Sequence, residues 1–346
     1  MTTTAMAEPV VATTAARQDL FQMTMGALMA QMLHVAAKLE IADLVHAGPR
    51  GASDLATATG TDASALHRLL RALASVGVFT EVRPGWFGQT PRSDLLRRDA
   101  PGSFRAMPIY LGEELYQVFS RLLDSVRSGE PVFADIFGAD YFTYLAANPA
   151  AGQTFNAAMT ALGAVAETGA VVAAYDFSRA RRIVDVGGGH GDLIAAVLAA
   201  NPEASGVLFD LPKVIDAARV ADSAASLTGR CEFVSGDFFA SVPTGGDLYL
   251  LKRIIHDWDD ARSVAILRQC RAAMSTDGTL LIIEDALPDG DTPSPGKLVD
   301  VVLMGILPGR ERTAAEYRAL CQDAGLRLER IVATSSAMAI MVVVPG

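Results

Sequence analysis

The ten residues from Ile183 to Asp192, Ile-Val-Asp-Val-Gly-Gly-Gly-His-Gly-Asp, constrain the fold more than any other part of this chain. A short β-branched apolar run meets an acid, glycines follow at once, and an Ala/Leu-rich helical pattern starts at Leu193. The pattern is strand, tight turn, helix. Glycine lets the backbone approach a ligand, and the free N–H groups at the start of the helix favour an electronegative or polar group. A glycine-rich connection with no ligand has the same local appearance, so the remaining chain has to decide.

After Arg182 strand and helix patterns alternate. Strands are expected at Ile183 to Val186, Ser205 to Phe209, Cys231 to Ser235, Asp247 to Lys252 and Thr279 to Ile283, with helices at Leu193 to Ala200, Lys213 to Ala218 and Asp259 to Met274. A helix at Thr313 to Ala324 precedes two strands, Leu326 to Thr334 and Met338 to Val344, expected as a terminal antiparallel pair. This order implies a doubly wound α/β sheet. Such sheets bind ligands at the carboxyl ends of their strands, and polar residues collect there: Asp185 and Gly187, then Asp210, then Asp237 with Phe238, then Lys252, His256 and Asp257, with Glu284 after the fifth strand.

The glycine spacing is Gly187-x-Gly189-x-Gly191, and Asp192 stands where a dinucleotide motif needs its third glycine. Asp210, beyond the next strand, suits a ribose diol. Asp237 offers an acceptor for an adenine amine, and Phe238 an apolar wall beside it. A P-loop lysine pattern is missing, which disfavours ATP.

The formal charge of −10 disfavours general affinity for nucleic acid or anionic membrane, since both need a basic face. Charges, Gly or Pro cut the apolar runs, so no membrane span is expected. Three widely spaced cysteines, Cys231, Cys270 and Cys321, suit a reducing cytoplasm and form neither a disulfide framework nor a metal cluster. Residues 1–17 lack the basic start and continuous apolar core of a secretory signal and are expected as a disordered leader.

From Gln18 to Val45 the pattern is helical, with an apolar surface wider than one stripe that suits packing on a second subunit as well as on its own domain. Gly51 to Thr90 reads as helix, turn, helix, hairpin, with Ser53 and Asp62 as caps and a turn at Pro84-Gly85. This winged-helix pattern raises DNA binding. The would-be recognition helix carries only His67, Arg68 and Arg71 against many Leu and Ala, and the wing only Arg83, too few cations for phosphate neutralisation. A dimerising role fits better. Residues 101–169 bring further helices and many aromatics, mostly core, and the helix Phe155 to Leu162 turns Asn156 and Met159 toward an expected substrate cleft.

The chain resembles the dimeric S-adenosylmethionine-dependent small-molecule O-methyltransferases, the class of plant phenolic enzymes and actinobacterial natural-product tailoring enzymes. The resemblance covers essentially all of the chain after the leader. It rests on Val184 to Gly191, on Phe209-Asp210-Leu211-Pro212 and Gly236-Asp237-Phe238-Phe239, on Leu251 to Trp258, and on Gly309-Arg310-Glu311-Arg312-Thr313. It implies a Rossmann-like class I methyltransferase domain at 170–346, a winged-helix dimerisation domain at 18–100 and a helical linker and pocket region at 101–169. S-adenosylmethionine is the implied cofactor, held by Asp185, Gly187, Gly189, Asp210, Leu211, Asp237, Phe238, Lys252 and Arg253. His256 matches the family's general base, with Glu284 and Glu311 as the acids that flank and orient it. Phe155, Asn156, Met159, Asp257 and Met304 are the expected acceptor contacts, and Pro308 replaces the first of two glycines that members often carry before Arg-Glu-Arg-Thr.

The implied reaction is methylation of a phenolic hydroxyl on an aromatic or polyketide-type natural product, by in-line transfer with proton removal. A histidine with an ordinary pKa near 6.5 can take that proton, and such help is worth roughly 100-fold to 10,000-fold. The residues alone also allow His256 to be a polar group at a strand-to-helix junction, and Glu311 a cap for the helix near Thr313. His190 reads as a loop residue near the cofactor, and His34, His46 and His67 as structural. No metal is indicated, because the acidic and histidine positions lack a tight ligand pattern. Two other functions compete: a relative that keeps the cofactor but hydroxylates or cyclises, and a small-molecule-sensing DNA-binding regulator.

Overall fold

The computed structural model describes residues 7–161, 164–221 and 223–346, so the first six residues of the expected leader lie outside it. The chain divides into two units, Met1–Gln117 with Leu145–Leu162, and Val118–Tyr144 with Gly163–Gly346. The stretch 101–169, expected as one linker region, is therefore shared between them.

In the first unit, helices Ala7–Thr24 and Gly26–Lys38 come first. Residues 7–17, expected as disordered leader, are helical; Pro9 stands in the first turn, where its missing N–H breaks no helix bond. The helix expected through Val45 breaks at Met25 and again at Glu40, whose φ of 53° is left-handed. By length and composition alone, the helical stretch Thr13–Lys38 is long and apolar enough to cross a membrane. Leu20, Phe21, Met23, Met25 and Leu28 on it are exposed.

The winged helix follows as helices Ala52–Thr59 and Ala63–Ser75 with strands β1 (Arg50–Gly51), β2 (Thr80–Arg83) and β3 (Trp86–Gly88), ordered β1-β3-β2. Asp62 caps the second helix by accepting from the Ala65 N–H at 2.8 Å. The first helix starts at Ala52 with Gly51 as its N-cap, and Ser53 lies inside it. Leu55, Leu66, Leu70, Leu73, Phe79 and Phe87 fill the core, each full burial contributing about 2 kcal/mol. Phe155, on helix Pro149–Ala161 with Asn156 and Met159, packs its ring 5.8 Å from Tyr110 within the same unit.

The second unit is built on β4 (Arg182–Val186), β5 (Ser205–Asp210), β6 (Cys231–Ser235), β7 (Leu248–Lys252), β8 (Thr279–Leu287), β9 (Arg312–Thr313), β10 (Leu326–Ala333) and β11 (Met338–Pro345). The main order is β10-β11-β8-β7-β4-β5-β6, with β9 beside the end of β8. Strands β4 to β8 pair in parallel, while β11 is antiparallel to β8 and, as the sequence pattern predicts, to β10. Alternation sends Val184, Tyr249, Leu251, Leu280 and Ile282 to one face and Ile183, Leu248, Leu250, Leu281 and Ile283 to the other. Strand order reverses between β4 and β7, so the crevice of the sheet opens at their carboxyl ends.

Strand β8 runs four residues past the expected Ile283, because Glu284 and Asp285 pair with Ala339 and Met338 of β11, and Ala286 and Leu287 with Arg312 and Thr313 of β9. Its parity then carries Glu284 to the face of Ile282 and Asp285 to the face of Ile283.

Candidate active site

The glycine turn after β4 is held from below. Gly187 donates to the Phe209 carbonyl at 2.8 Å, and Asp210 accepts from the Gly189 N–H at 2.9 Å and the Leu211 N–H at 2.7 Å. Gly187 has φ 69°, and a Cβ there would lie 2.5 Å from Ile254 Cδ1 and 3.6 Å from the Phe238 ring. Backbone therefore comes close to the floor of the crevice only because this residue is glycine. Phe238, Phe239 and Trp258 stack edge-on at centroid distances of 4.8 to 6.1 Å, making an aromatic wall beside the turn. Asp237 is exposed and accepts from the Phe239 N–H at 2.8 Å, and the Leu211 side chain is exposed above Asp210.

These residues fit a nucleoside cofactor. Asp210 keeps lone pairs for hydroxyls beyond its two backbone bonds, and burial raises its pKa. Asp185 is fully buried with one carboxylate oxygen unpartnered; burial, against the nearby Lys252, pushes it up to about 7. Lys252 and Arg253 converge on Glu167 of helix Ala164–Ala174. Arg253 binds Glu167 through two nitrogens at 2.7 and 3.4 Å, and the Lys252 ammonium stands 3.7 Å away. Burial lowers the Lys252 pKa despite Glu167. Glu167 is a residue that sequence reasoning missed, since its helix gives no polar signal beyond a single acid in an apolar run.

Beyond β7 the chain turns sharply. Arg253 has φ 53°, a conformation rare outside glycine, and a 3₁₀ turn at Ile255–Asp257 follows. The left-handed residue aims three successive N–H groups at one oxygen: Glu284 Oε1 accepts from Ile254 at 2.9 Å, Ile255 at 2.6 Å and His256 at 3.3 Å. Glu284 Oε2 accepts from the Tyr317 hydroxyl at 2.5 Å. Fully buried Arg312 grips the carbonyl side of the same turn, donating to Ile255 O at 3.1 Å and Trp258 O at 2.8 Å while pairing with Asp260.

His256 is buried, and its Nδ1 meets Glu311 Oε1 at 2.8 Å; its Nε2 lies 3.5 Å from Asp257 Oδ1. Burial alone would lower its pKa, but the charge of Asp257, the Glu311 hydrogen bond and the charges of Glu284 and Glu311 outweigh burial and hold it at about 9. Asp257 rises to about 6, burial outweighing the attraction of His256. The two glutamates thus differ. Glu311 meets the imidazole, while Glu284 reaches the histidine only through backbone and field. Glu311 does not cap the next helix; Thr313 and Glu316 form that capping box. His256, Glu284 and Glu311 lie within 4.8 Å of one another, a spacing open to a metal ion, yet the lone pairs of Glu284 already face three N–H groups and a phenol.

Glu311 is set by its neighbours. Its N–H donates to Asp300 Oδ1 at 2.9 Å, on helix Pro295–Ile306, which also carries Met304. A Cβ at Gly309 would stand 2.0 Å from His256 O and 2.6 Å from Trp258 N, so this segment lies against the turn only as glycine. Asp285, also missed, is buried beside Arg253 with one oxygen unpartnered, and burial raises it to about 6. Asp185, Gly187, Gly189, Asp210, Leu211, Asp237, Phe238, Lys252, Arg253, His256, Asp257, Glu284, Met304 and Glu311 all belong to the second unit, and Phe155, Asn156 and Met159 to the first.

The O-methyltransferase domain family matches residues 119–327, and the O-methyltransferase dimerisation domain family matches residues 21–99. The chain is 46% identical over 323 residues to the phenazine O-methyltransferase PhzM of Lysobacter antibioticus, covering 93% of this chain and 94% of that one. It is 38% identical over 320 residues to the phenazine-1-carboxylate N-methyltransferase of Pseudomonas aeruginosa, covering 92% and 94%. A similar solved structure, with TM-score 0.82, 32% identity and coverage of 92% and 96%, is an O-methyltransferase from neocarzinostatin biosynthesis in complex with S-adenosylmethionine and 2-hydroxy-5-methyl naphthoic acid.

Proposed function

The chain belongs to the O-methyltransferase family and is an S-adenosylmethionine-dependent enzyme of that family, and from that premise we propose that it methylates a phenolic hydroxyl of an aromatic natural product with His256 as general base. The observation that carries the reading is the buried His256 ring, held through Nδ1 by Glu311 at the mouth of the crevice. When bound, S-adenosylmethionine supplies the methyl group on a sulfonium, whose positive charge also disfavours a protonated neighbour. Asp210 is assigned the ribose hydroxyls, and Asp237 with Phe238 the adenine. Glu311 orients the imidazole and stabilises the imidazolium formed when Nε2 takes the hydroxyl proton. Asp257 and Met304, within the second unit, are assigned to the acceptor. The exposed apolar residues from Leu20 to Leu28 fall in or beside the dimerisation match and are assigned to a second copy of the chain; DNA is expected to bind neither copy.

A pKa of about 9 means that His256 is protonated near neutrality before substrates bind, so it must first release that proton. The rate per encounter, kcat/KM, should then climb with pH toward 9 for a hydroxyl acceptor. The N-methyltransferase relative motivates a second reading, transfer to an aromatic ring nitrogen. Such an acceptor has no proton to lose and should show no histidine limb. The test incubates the protein with methyl-labelled S-adenosylmethionine and hydroxylated or nitrogenous aromatics, following product mass and S-adenosylhomocysteine. With the accepted hydroxyl substrate, His256→Asn should lower turnover roughly 100-fold to 10,000-fold, with cofactor affinity by calorimetry near wild type. Full turnover by that variant would leave proximity alone as the catalyst.

A further inference from the structure

We propose that Tyr317 is a positioning residue for the methyl-transfer reaction: its hydroxyl fixes Glu284, and Glu284 fixes the turn that presents His256. The proposal rests on the reading of His256 as base.

Tyr317 lies on helix Ala314–Asp323, fully buried among Leu320, Cys321 and the apolar residues of one sheet face. Phenylalanine would fill the same space. A phenol there has to find a partner, because a buried hydroxyl without one is costly. Its partner is Glu284 Oε2 at 2.5 Å, on the strand face that parity gives to Glu284. With Oε2 tied, Oε1 is left aimed at the N–H groups of Ile254, Ile255 and His256. One carboxylate oxygen thus gathers three backbone donors of the turn. Arg312 holds the opposite, carbonyl side, so the turn is clamped from both sides by residues that follow it in the chain.

The charged groups facing the imidazole are Asp257 on its own turn, Glu284 and Asp285 on β8, and Glu311 before β9; Glu284, Glu311 and Arg312 face the phenol. Burial and Glu284 push the Tyr317 pKa well up, so it stays a donor. Without the phenol, Glu284 is free to swing from the three N–H groups, and both the aim of His256 and the anionic field on it weaken. The histidine pKa should then fall toward its ordinary value.

The test uses the full-length protein with its accepted hydroxyl acceptor. Tyr317→Phe should keep the circular dichroism of wild type and a cofactor KM close to it, while kcat falls roughly tenfold to a hundredfold. The acid limb of kcat/KM should move to lower pH by roughly one unit, and the His256 ring titration by NMR should move with it. In a Glu284→Gln background, whose amide can still accept from the turn and donate to the phenol oxygen, adding Tyr317→Phe should change kcat less than it does in wild type. A limb that stays in place in Tyr317→Phe, whatever happens to kcat, overturns the proposal. If that limb vanishes in His256→Asn but is unmoved in Tyr317→Phe, only the role of Tyr317 falls. A limb that persists in His256→Asn removes the base reading and this proposal with it.

Discussion

Two carboxylates on separate strands of the same sheet, Asp210 on β5 and Glu284 on β8, use one device to opposite purposes. Asp210 accepts two backbone N–H bonds from the glycine turn and stays partly exposed. Glu284 accepts three from the turn after β7 and is fully buried, its second oxygen closed by Tyr317. Both organise backbone by offering an anion to converging N–H groups. The first leaves capacity for a ligand, and the second leaves none. An acid at the carboxyl end of a strand therefore marks a binding group when its oxygens remain open, and a scaffold when they are all spoken for.

The sharpest way to break this contrast is at Gly309. A Cβ in Gly309→Ala would meet the backbone of His256 to Trp258, which has no flexible end to yield, so the segment carrying Glu311 must retreat. We expect kcat to fall on the order of a hundredfold, the size of an ångström-scale misplacement, with cofactor affinity by calorimetry nearly unchanged. A Gly309→Ala enzyme with wild-type kcat would show that the turn tolerates a displaced clamp. Next in size is Asp210→Asn, which keeps an acceptor for Gly189 but removes the charge from the open side. Cofactor affinity should drop roughly tenfold, and kcat at saturating cofactor should hold. Equal losses in both would mean that Asp210, like Glu284, is scaffold.

The remaining effect is on stability. The His256 pKa of about 9 exceeds the ordinary 6.5 of an unfolded chain. Its contribution is fully present below about pH 6.5 and lost as pH rises through about 9. The ceiling is about 3 kcal/mol, since a tenfold change in proton affinity corresponds to roughly 1.4 kcal/mol. Asp185, Asp257 and Asp285, raised to about 7, 6 and 6, act earlier and in the same direction: each loses its folded-state preference for a proton as pH climbs from about 4 to 7. Melting temperature followed by calorimetry should decline from pH 6 to pH 9, and His256→Asn should flatten the upper half of that decline. An unchanged slope in the variant would assign it to other groups.

The open side of the contrast was legible in the sequence. Glycine spacing, Asp210 after the second strand and Asp237-Phe238 after the third are local signals, each one turn from a strand end. So was the antiparallel pairing of the last two strands, while the place of the final strand against β8 was not. The closed side was legible only in part. His256 and Glu311 were named, but the division of labour between Glu311 and Glu284 depends on the parity of β8 beyond Ile283. That parity follows from pairing with β11, where Ala339 and Met338 stand opposite Glu284 and Asp285, a tertiary contact that overrides the loop-like Glu-Asp pair. Tyr317 and Arg312 look like ordinary helix and loop residues until the fold brings them to the turn. Glu167 and Asp285 show themselves only as the two acids around Arg253.

The double clamp also orders events during synthesis. The hydrogen bonds that hold the glycine turn come from Phe209 and Asp210, with Asp210 only 21 residues beyond Gly189. The histidine turn cannot be finished until Glu284, Glu311, Arg312 and Tyr317 have all emerged: the first three close long loops back to residues 254–258, and Tyr317 closes one to Glu284. The contacts of the glycine turn can therefore form earlier in synthesis than those of the histidine turn.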